Sequence, residues 1–242
     1  MAIVLCMDGL GGRPETTFGL LKLRLERDGH RVVLIDTKGI VTHEDRVRLV
    51  MEEFWRNQTV TQMRKIVLIG QSAGGSAVRI AAERLCRSDM YVSGVVLLSP
   101  AMPFGVWFMT APLWQVMKNR LGDILKGRMV HMTEYEYELL TAPLNPDSRD
   151  QIIRDRQPVS GVEARTLALC PPAIRGHRYP TLHVYGDQDG WISPSAQRKL
   201  SRKLLSNGPT TVRRICGAGH LVLASRERYH VIREIQHWIK RT

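Results

Sequence analysis

Short apolar runs rich in β-branched residues alternate along this chain with segments whose apolar residues recur at helical spacing. The runs predict strands at 3–7, 32–36, 66–70, 95–98, 181–185 and 211–216. The segments between them predict helices near 16–28, 43–57, 73–87, 195–205 and 224–240. Because strands that alternate with helices pair in parallel, the order predicts an α/β fold: a doubly wound, mainly parallel sheet of about six strands.

The chain has 242 residues, enough for one α/β domain with a sizeable core. Neither a fixed-period repeat nor a long Pro/Gly-rich linker divides it, so we expect a single domain over 1–242. A long interruption at 101–178 separates the fourth predicted strand from the fifth. No run approaches the ~20 apolar residues of a membrane helix, and residues 1–7 indicate a core strand rather than a secretion signal.

The sequence Gly-Gln-Ser-Ala-Gly at 70–74 directly follows the apolar run 66–69 and precedes a helical pattern. Ser72 is therefore expected on a sharp turn between a strand and a helix, with its hydroxyl lifted out of the sheet. The two glycines allow the tight turn because they have no Cβ to clash with the backbone. A serine held this way can act as a nucleophile when a base and an acid reach it from elsewhere.

Candidate partners for Ser72 follow two later strands. The run 181–186 is followed by Asp187 and Asp189, and the run 212–216 is followed by Gly219 and His220. Ligands of open α/β sheets bind at the carboxyl ends of the strands, so these side chains are expected at the same edge as Ser72. Spacing alone leaves both aspartates open as the acid.

These motifs together resemble the α/β-hydrolase superfamily, in which the chain order is serine, acid, histidine. The loop Asp-Gly-Leu-Gly-Gly at 8–12 is similar to that family's His-Gly-x-Gly-Gly loop, with Asp8 where histidine is usual. The resemblance implies backbone oxyanion donors at Leu10 and Ala73. The family's acid follows the strand-end glycine by three residues, which favours Asp189 over Asp187.

The resemblance also implies a helical lid or cap at 101–178, because insertions in this family usually occur between these strands. The insertion opens with aromatic residues and methionines, of which Met102, Trp107 and Trp114 are the candidates for lining an acyl pocket. Each of these side chains could instead simply pack the insertion onto the domain.

The net charge of +12 favours contact with an acidic carrier protein or an anionic surface, or indicates only a solvated basic surface. Nucleic-acid binding is not expected, because the basic residues do not alternate with aromatics. The four cysteines have no metal-ligand spacing and indicate reduced thiols in a cytoplasmic protein. The sequence predicts no metal and no cofactor.

The leading hypothesis is a serine hydrolase that cleaves a carboxylic ester of a small or medium apolar acyl group through an acyl-enzyme. Its catalytic residues would be Ser72, Asp189 and His220. A first alternative is a thioesterase or acyltransferase acting on a carrier-bound or anionic acyl substrate. An alternative of another class is a non-catalytic ligand-binding protein on the hydrolase fold.

Overall fold

The computed structural model describes residues 1–59, 65–101, 110–169 and 176–242. The strands are β1 (Ala2–Met7), β2 (Arg31–Leu34), β3 (Lys65–Gln71), β4 (Gly94–Leu98), β5 (Met129–Val130), β6 (Val159–Ser160), β7 (Thr181–Gly186) and β8 (Thr210–Ile215). The helices are α1 (Pro14–Arg27), α2 (His43–Thr59), α3 (Ala73–Arg87), α4 (Ala111–Leu125), α5 (Glu134–Thr141), α6 (Pro146–Arg154), α7 (Gly161–Leu169), α8 (Pro194–Asn207) and α9 (Arg228–Arg241).

The main sheet has six strands in the order β2-β1-β3-β4-β7-β8, and every neighbouring pair is parallel. In register, Met7 of β1 lies opposite Gly70 of β3, and Gln71 lies opposite Leu98 of β4. The predicted six-stranded α/β fold is therefore confirmed. Parallel pairing brings the carboxyl ends of all six strands to one edge of the sheet.

Both faces of the sheet are buried, which accounts for the nearly continuous apolar character of the strands. Along β1, Ile3 and Leu5 pack into a core with α2, α3 and α8, whereas Val4 and Cys6 pack on the opposite face. The opposite face is covered by α1 and α9. Alternate side chains along a strand therefore pack into two separate hydrophobic cores, one on each face of the sheet.

Two predicted helix starts differ from the structure by two residues or more. α1 begins at Pro14, two residues earlier than predicted, because proline is well tolerated in the first turn of a helix. α9 begins at Arg228 rather than near 224, because Val222–Ala224 form a separate 3-10 turn.

The insertion, residues 101–178, carries four helices and a small antiparallel sheet in its described part. β5 pairs with β6 through Met129 and Ser160. α4 packs on α7, and α7 contacts α2 of the main domain. Among the described helices, none is both long and apolar enough to cross a membrane.

Candidate active site

Ser72 occupies a strained turn between β3 and α3. Its backbone has φ 54° and ψ −120°, a conformation that residues with a side chain rarely adopt. The turn is held from both sides, because the Ser72 N–H donates to the Leu98 carbonyl (2.9 Å) and the Ser72 carbonyl accepts from the N–H of Ala101 (2.9 Å). The surrounding structure thus fixes a half-buried serine at the end of a central strand.

The glycines on either side of Ser72 are required by close backbone contacts. A Cβ at Gly70 would overlap the Gly74 carbonyl, and a Cβ at Gly74 would overlap the carbonyl oxygens of Met7 and Asp8. The sequence motif therefore reflects the close approach of β1, β3 and α3 at this turn.

His220 and Asp189 are in direct contact. Nδ1 of His220 lies 2.9 Å from Oδ2 and 3.0 Å from Oδ1 of Asp189, and both side chains are buried. Oδ1 of Asp189 also accepts the N–H groups of Trp191 (2.8 Å) and Ile192 (2.9 Å). These three donors fix the carboxylate and keep its charge hydrogen-bonded although it is away from water.

Asp187, the other candidate acid, faces a different set of partners. Its carboxylate accepts from the Arg214 guanidinium (3.0 Å) and from the N–H of Gly217 (2.7 Å). Asp187 therefore stabilises the turn after β8, and Asp189 is the aspartate that contacts the histidine.

The His220 ring is held on its other sides as well. The Trp191 indole stacks on it, with ring centroids 5.6 Å apart and planes 27° apart. The side-chain amide of Gln71, next to Ser72, donates to the His220 carbonyl (3.0 Å). The backbone of the histidine turn is thereby tied to the serine turn.

The loop after β1 reaches Ser72 through Gly9. A Cβ at Gly9 would lie 2.8 Å from the Ser72 Cβ, so the loop backbone is packed against the serine. The Asp8 carboxylate faces into the loop and accepts from the Gly9 N–H (2.7 Å) and the Thr17 hydroxyl (2.7 Å). Burial raises the pKa of Asp8, partly offset by these two hydrogen bonds. Asp8 thus orders the loop that carries Leu10.

A buried ion pair braces the same loop from outside. Nε of Arg46 on α2 lies 2.6 Å from a carboxylate oxygen of Glu163 on α7, with both side chains almost fully buried. The Arg46 Nη1 also donates to the Asp8 carbonyl. Arg46 therefore connects the main domain, the insertion and the loop.

A narrow cleft of about 20 Å³ brings these groups together. It is lined by Asp8, Gly9, Leu10, Gly12, Gln71, Ser72, Tyr137, Thr141, Trp191, His220 and Leu221. Leu10 thus lies beside Ser72 and His220, whereas Ala73 is buried at the first position of α3. No group of three or more metal-ligating side chains occurs within 1–59, 65–101, 110–169 and 176–242.

None of the three predicted pocket residues, Met102, Trp107 and Trp114, is found in the wall of the cleft within the described part of the chain. Met102 and Trp107 lie outside the described residues. Trp114 does not line the cleft, and 56% of its surface is exposed. On α4 the buried face is formed instead by Leu113 and Val116, which belong to the same apolar cluster as Trp191. Trp114 points away because one residue along a helix turns the side chain by ~100°.

Several cleft residues were not anticipated from the sequence. Tyr137, Thr141 and Leu221 come from α5 and from the turn after His220, and no spacing in the sequence connects α5 to the catalytic motifs. The sequence gives a weak indication of Trp191, because an aromatic residue two positions after Asp189 is well placed to contact His220 as well.

The alpha/beta hydrolase family model matches residues 9–230, and the chain belongs to this family. A search of curated proteins finds no match to the sequence. Solved structures with a similar fold include a monoacylglycerol lipase of Paleococcus ferrophilus, 23% identical, with a TM-score of 0.66 over 98% of this chain and 93% of that chain.

Two further structures show the same architecture. A lipase-esterase related protein from Clostridium acetobutylicum is 17% identical, with a TM-score of 0.70 over 98% of this chain and 93% of that chain. A thermophilic esterase from Thermogutta terrifontis is 19% identical, with a TM-score of 0.68 over 100% of this chain and 90% of that chain. At these identities the likeness defines the fold.

Proposed function

We propose that this protein is a serine hydrolase that cleaves carboxylic esters through an acyl-enzyme. The observation that carries the proposal is the Asp189–His220 contact of 2.9 Å in the cleft that also holds Ser72 on its strained turn. Membership of the alpha/beta hydrolase family supports it. The lipase and esterase structures that share the fold favour an ester as the substrate.

His220 acts as the base in the first step. Because Asp189 engages Nδ1, Nε2 is the nitrogen left to take the Ser72 proton as the serine oxygen attacks the acyl carbon. The Asp189 carboxylate stabilises the imidazolium that results. Protonated His220 then gives the proton to the leaving alkoxide, which departs as the alcohol and leaves an acyl-serine.

The backbone N–H groups of Leu10 and Ala73 stabilise the oxyanion. Leu10 lines the cleft, and the Ala73 N–H belongs to the first turn of α3, where N–H groups have no partner within the helix. One such donor is typically worth about 3–4 kcal/mol in the transition state. The hydrogen bonds that hold Asp8 and Arg46 in place keep the loop ready for this role.

Water completes the reaction. His220 takes a proton from a water molecule, the hydroxide attacks the acyl-serine, and the Ser72 oxygen leaves with the proton from His220. The acid is released and the free serine is restored. Each step uses the same three side chains and needs no further reactant.

The insertion acts as a lid that shapes the acyl pocket. Leu113 and Val116 on α4 pack against Trp191, which also lines the cleft, and this apolar surrounding favours a small or medium apolar acyl group. Met102 and Trp107 remain candidates for the same pocket.

The free thiols of Cys6, Cys86 and Cys216 support a cytoplasmic protein.

A panel of 4-nitrophenyl esters of graded chain length, run beside matched thioesters, tests this function. We expect turnover of short and medium esters and a fall in kcat of about 10⁶-fold in Ser72→Ala. Faster turnover of the thioesters would favour the thioesterase alternative. Ester turnover that is equal in wild type and Ser72→Ala would contradict the proposal.

A further inference from the structure

A second, larger cavity of about 370 Å³ lies in the insertion. It is lined by His131, Met132, Tyr137, Arg154, Arg156, Gln157 and Pro158. Its residues come from α5, from the end of α6 and from the segments that flank the small β5–β6 sheet. None of them belongs to the proposed catalytic machinery.

This cavity adjoins the serine cleft. Tyr137 forms a wall of both spaces. On another side, the Gln157 N–H donates to the Gly11 carbonyl (2.7 Å), in the loop that carries Leu10. The larger cavity therefore lies next to a substrate whose ester is at Ser72, and the Tyr137 side chain lines both spaces.

The charge of the cavity is one-sided. Two arginines and a histidine line it, and no aspartate or glutamate is among its lining residues. The acid between the two arginines in sequence, Asp155, is engaged elsewhere, because its carboxylate accepts from the Thr16 hydroxyl (2.6 Å) on α1. Within the described residues, no carboxylate forms an ion pair with Arg154 or Arg156.

Two hydrogen bonds hold the Arg156 guanidinium in place and leave other N–H groups free. Its Nε donates to the Met132 carbonyl (3.4 Å) and its Nη1 donates to the Ile153 carbonyl. A guanidinium has five N–H donors, so within the described part of the chain these two bonds leave three available, one on Nη1 and two on Nη2. A guanidinium held in this way keeps free donors on both Nη1 and Nη2, and such donors can match the two oxygens of a carboxylate.

We propose that this cavity binds a carboxylate carried by the substrate, so that the protein prefers esters with a free acid group beyond the scissile bond. The inference rests on the proposed ester hydrolysis for the identity of the reaction, but the binding of the carboxylate does not depend on turnover. Arg156 supplies the fixed donors, and Arg154, which is exposed at the rim, adds positive charge.

Two matched ester pairs test the preference on each side of the ester bond. On the acyl side, 4-nitrophenyl hydrogen adipate is compared with 4-nitrophenyl hexanoate. On the alcohol side, 6-acetoxyhexanoate is compared with hexyl acetate in a pH-stat. We expect kcat/KM of the anionic ester to exceed that of its neutral partner about tenfold in at least one pair, as for a charge-assisted hydrogen bond.

Substitution of Arg154 or Arg156 should reduce the ratio of kcat/KM for the anionic ester to kcat/KM for its neutral partner. We expect a loss of about tenfold for Arg156→Gln and about threefold for the more exposed Arg154→Gln. Arg154→Gln keeps the test decisive if Arg156→Gln fails to fold. The matched control is Arg165→Gln, which removes one charge from the same insertion at a site where the guanidinium donates to the Leu125 carbonyl (2.9 Å). The ratio of kcat/KM for the anionic ester to kcat/KM for the neutral ester should be the same in Arg165→Gln as in wild type.

Calorimetric titration of adipate into Ser72→Ala separates this inference from the proposed function. Binding that weakens in the Ser72→Ala, Arg154→Gln double variant would support the cavity even if no ester were hydrolysed. Neutral esters hydrolysed with no anionic preference in either pair, together with no adipate binding, would overturn the cavity and leave the hydrolase proposal standing.

Discussion

At the scale of single residues, the choice between Asp187 and Asp189 depends on partners that only the fold reveals. Both follow the same strand and differ by two positions in the chain. Asp189 contacts His220 and two backbone N–H groups, whereas Asp187 is committed to Arg214 and Gly217. The two acids therefore make a matched pair for a mutational test.

Asp189→Asn should lower kcat about 10³–10⁴-fold with little change in KM, because an amide cannot stabilise the imidazolium or hold its tautomer. Asp187→Asn should change kcat less than about threefold, since its carboxylate contacts Arg214 and the Gly217 N–H rather than His220. Steady-state kinetics on one 4-nitrophenyl ester checks both. Equal losses in the two variants would contradict the assigned role of Asp189.

The positions of Ser72 and Asp189 could be predicted because each follows a largely apolar strand, whereas His220 follows a strand that also carries Arg213 and Arg214. The partners of these residues could not be predicted. Tyr137 reaches the cleft from α5, some sixty residues along the chain from Ser72, and no periodicity in the sequence predicts where a helix of the insertion packs. The acid could be chosen only by resemblance until its contacts were known.

At the scale of elements, the pair of Arg46 and Glu163 joins α2 to α7 in a buried setting. The guanidinium donates to both oxygens of Glu163 (2.6 and 3.2 Å) and to the Asp8 carbonyl. Because removal of one partner leaves the other charge buried without compensation, this contact should be costly to break.

Glu163→Ala should lower the free energy of unfolding by about 3–5 kcal/mol. The matched control is Glu234→Ala, which breaks the pair Arg213–Glu234 at 2.7 Å on the surface, where the loss should stay within about 1 kcal/mol. Urea denaturation of the two variants measures both losses. A loss for Glu163→Ala no larger than that of the control would show that the pair does not anchor the insertion.

The elements of the main sheet were predictable, and those of the insertion were less so. The four central strands, β1, β3, β4 and β7, are almost fully buried, which requires a clear apolar run, whereas the edge strands β2 and β8 are more exposed. β5 and β6 are two residues long, too short for any alternation to be visible. Their existence depends on α4 and α7 packing beside them, which is a tertiary effect.

At the scale of the whole molecule, two buried histidines couple stability to pH. Burial lowers the pKa of His183 to about 4, although the hydrogen bond that its Nε2–H donates to the Gln197 side-chain oxygen opposes the shift. Burial, followed by the charge of Arg46, lowers the pKa of His43 to about 4. Between these values and the ordinary 6.5, the unfolded chain binds protons that the folded chain does not.

The free energy of unfolding should therefore fall as the pH is lowered from about 6.5 towards 4, by about 1 kcal/mol per pH unit for each histidine. His183→Gln should reduce the slope between pH 6 and pH 5 by one proton, whatever its effect on absolute stability. Urea denaturation at several pH values measures the slope. An unchanged slope in the variant would mean that His183 is charged in the folded protein.

Covalent labelling is the decisive test of whether Ser72 is the nucleophile. The intact protein is treated with a fluorophosphonate, digested, and the adduct is located by mass spectrometry, with Ser72→Ala as the control. We expect one adduct, on Ser72, and none in the variant. Equal labelling of wild type and Ser72→Ala would contradict it.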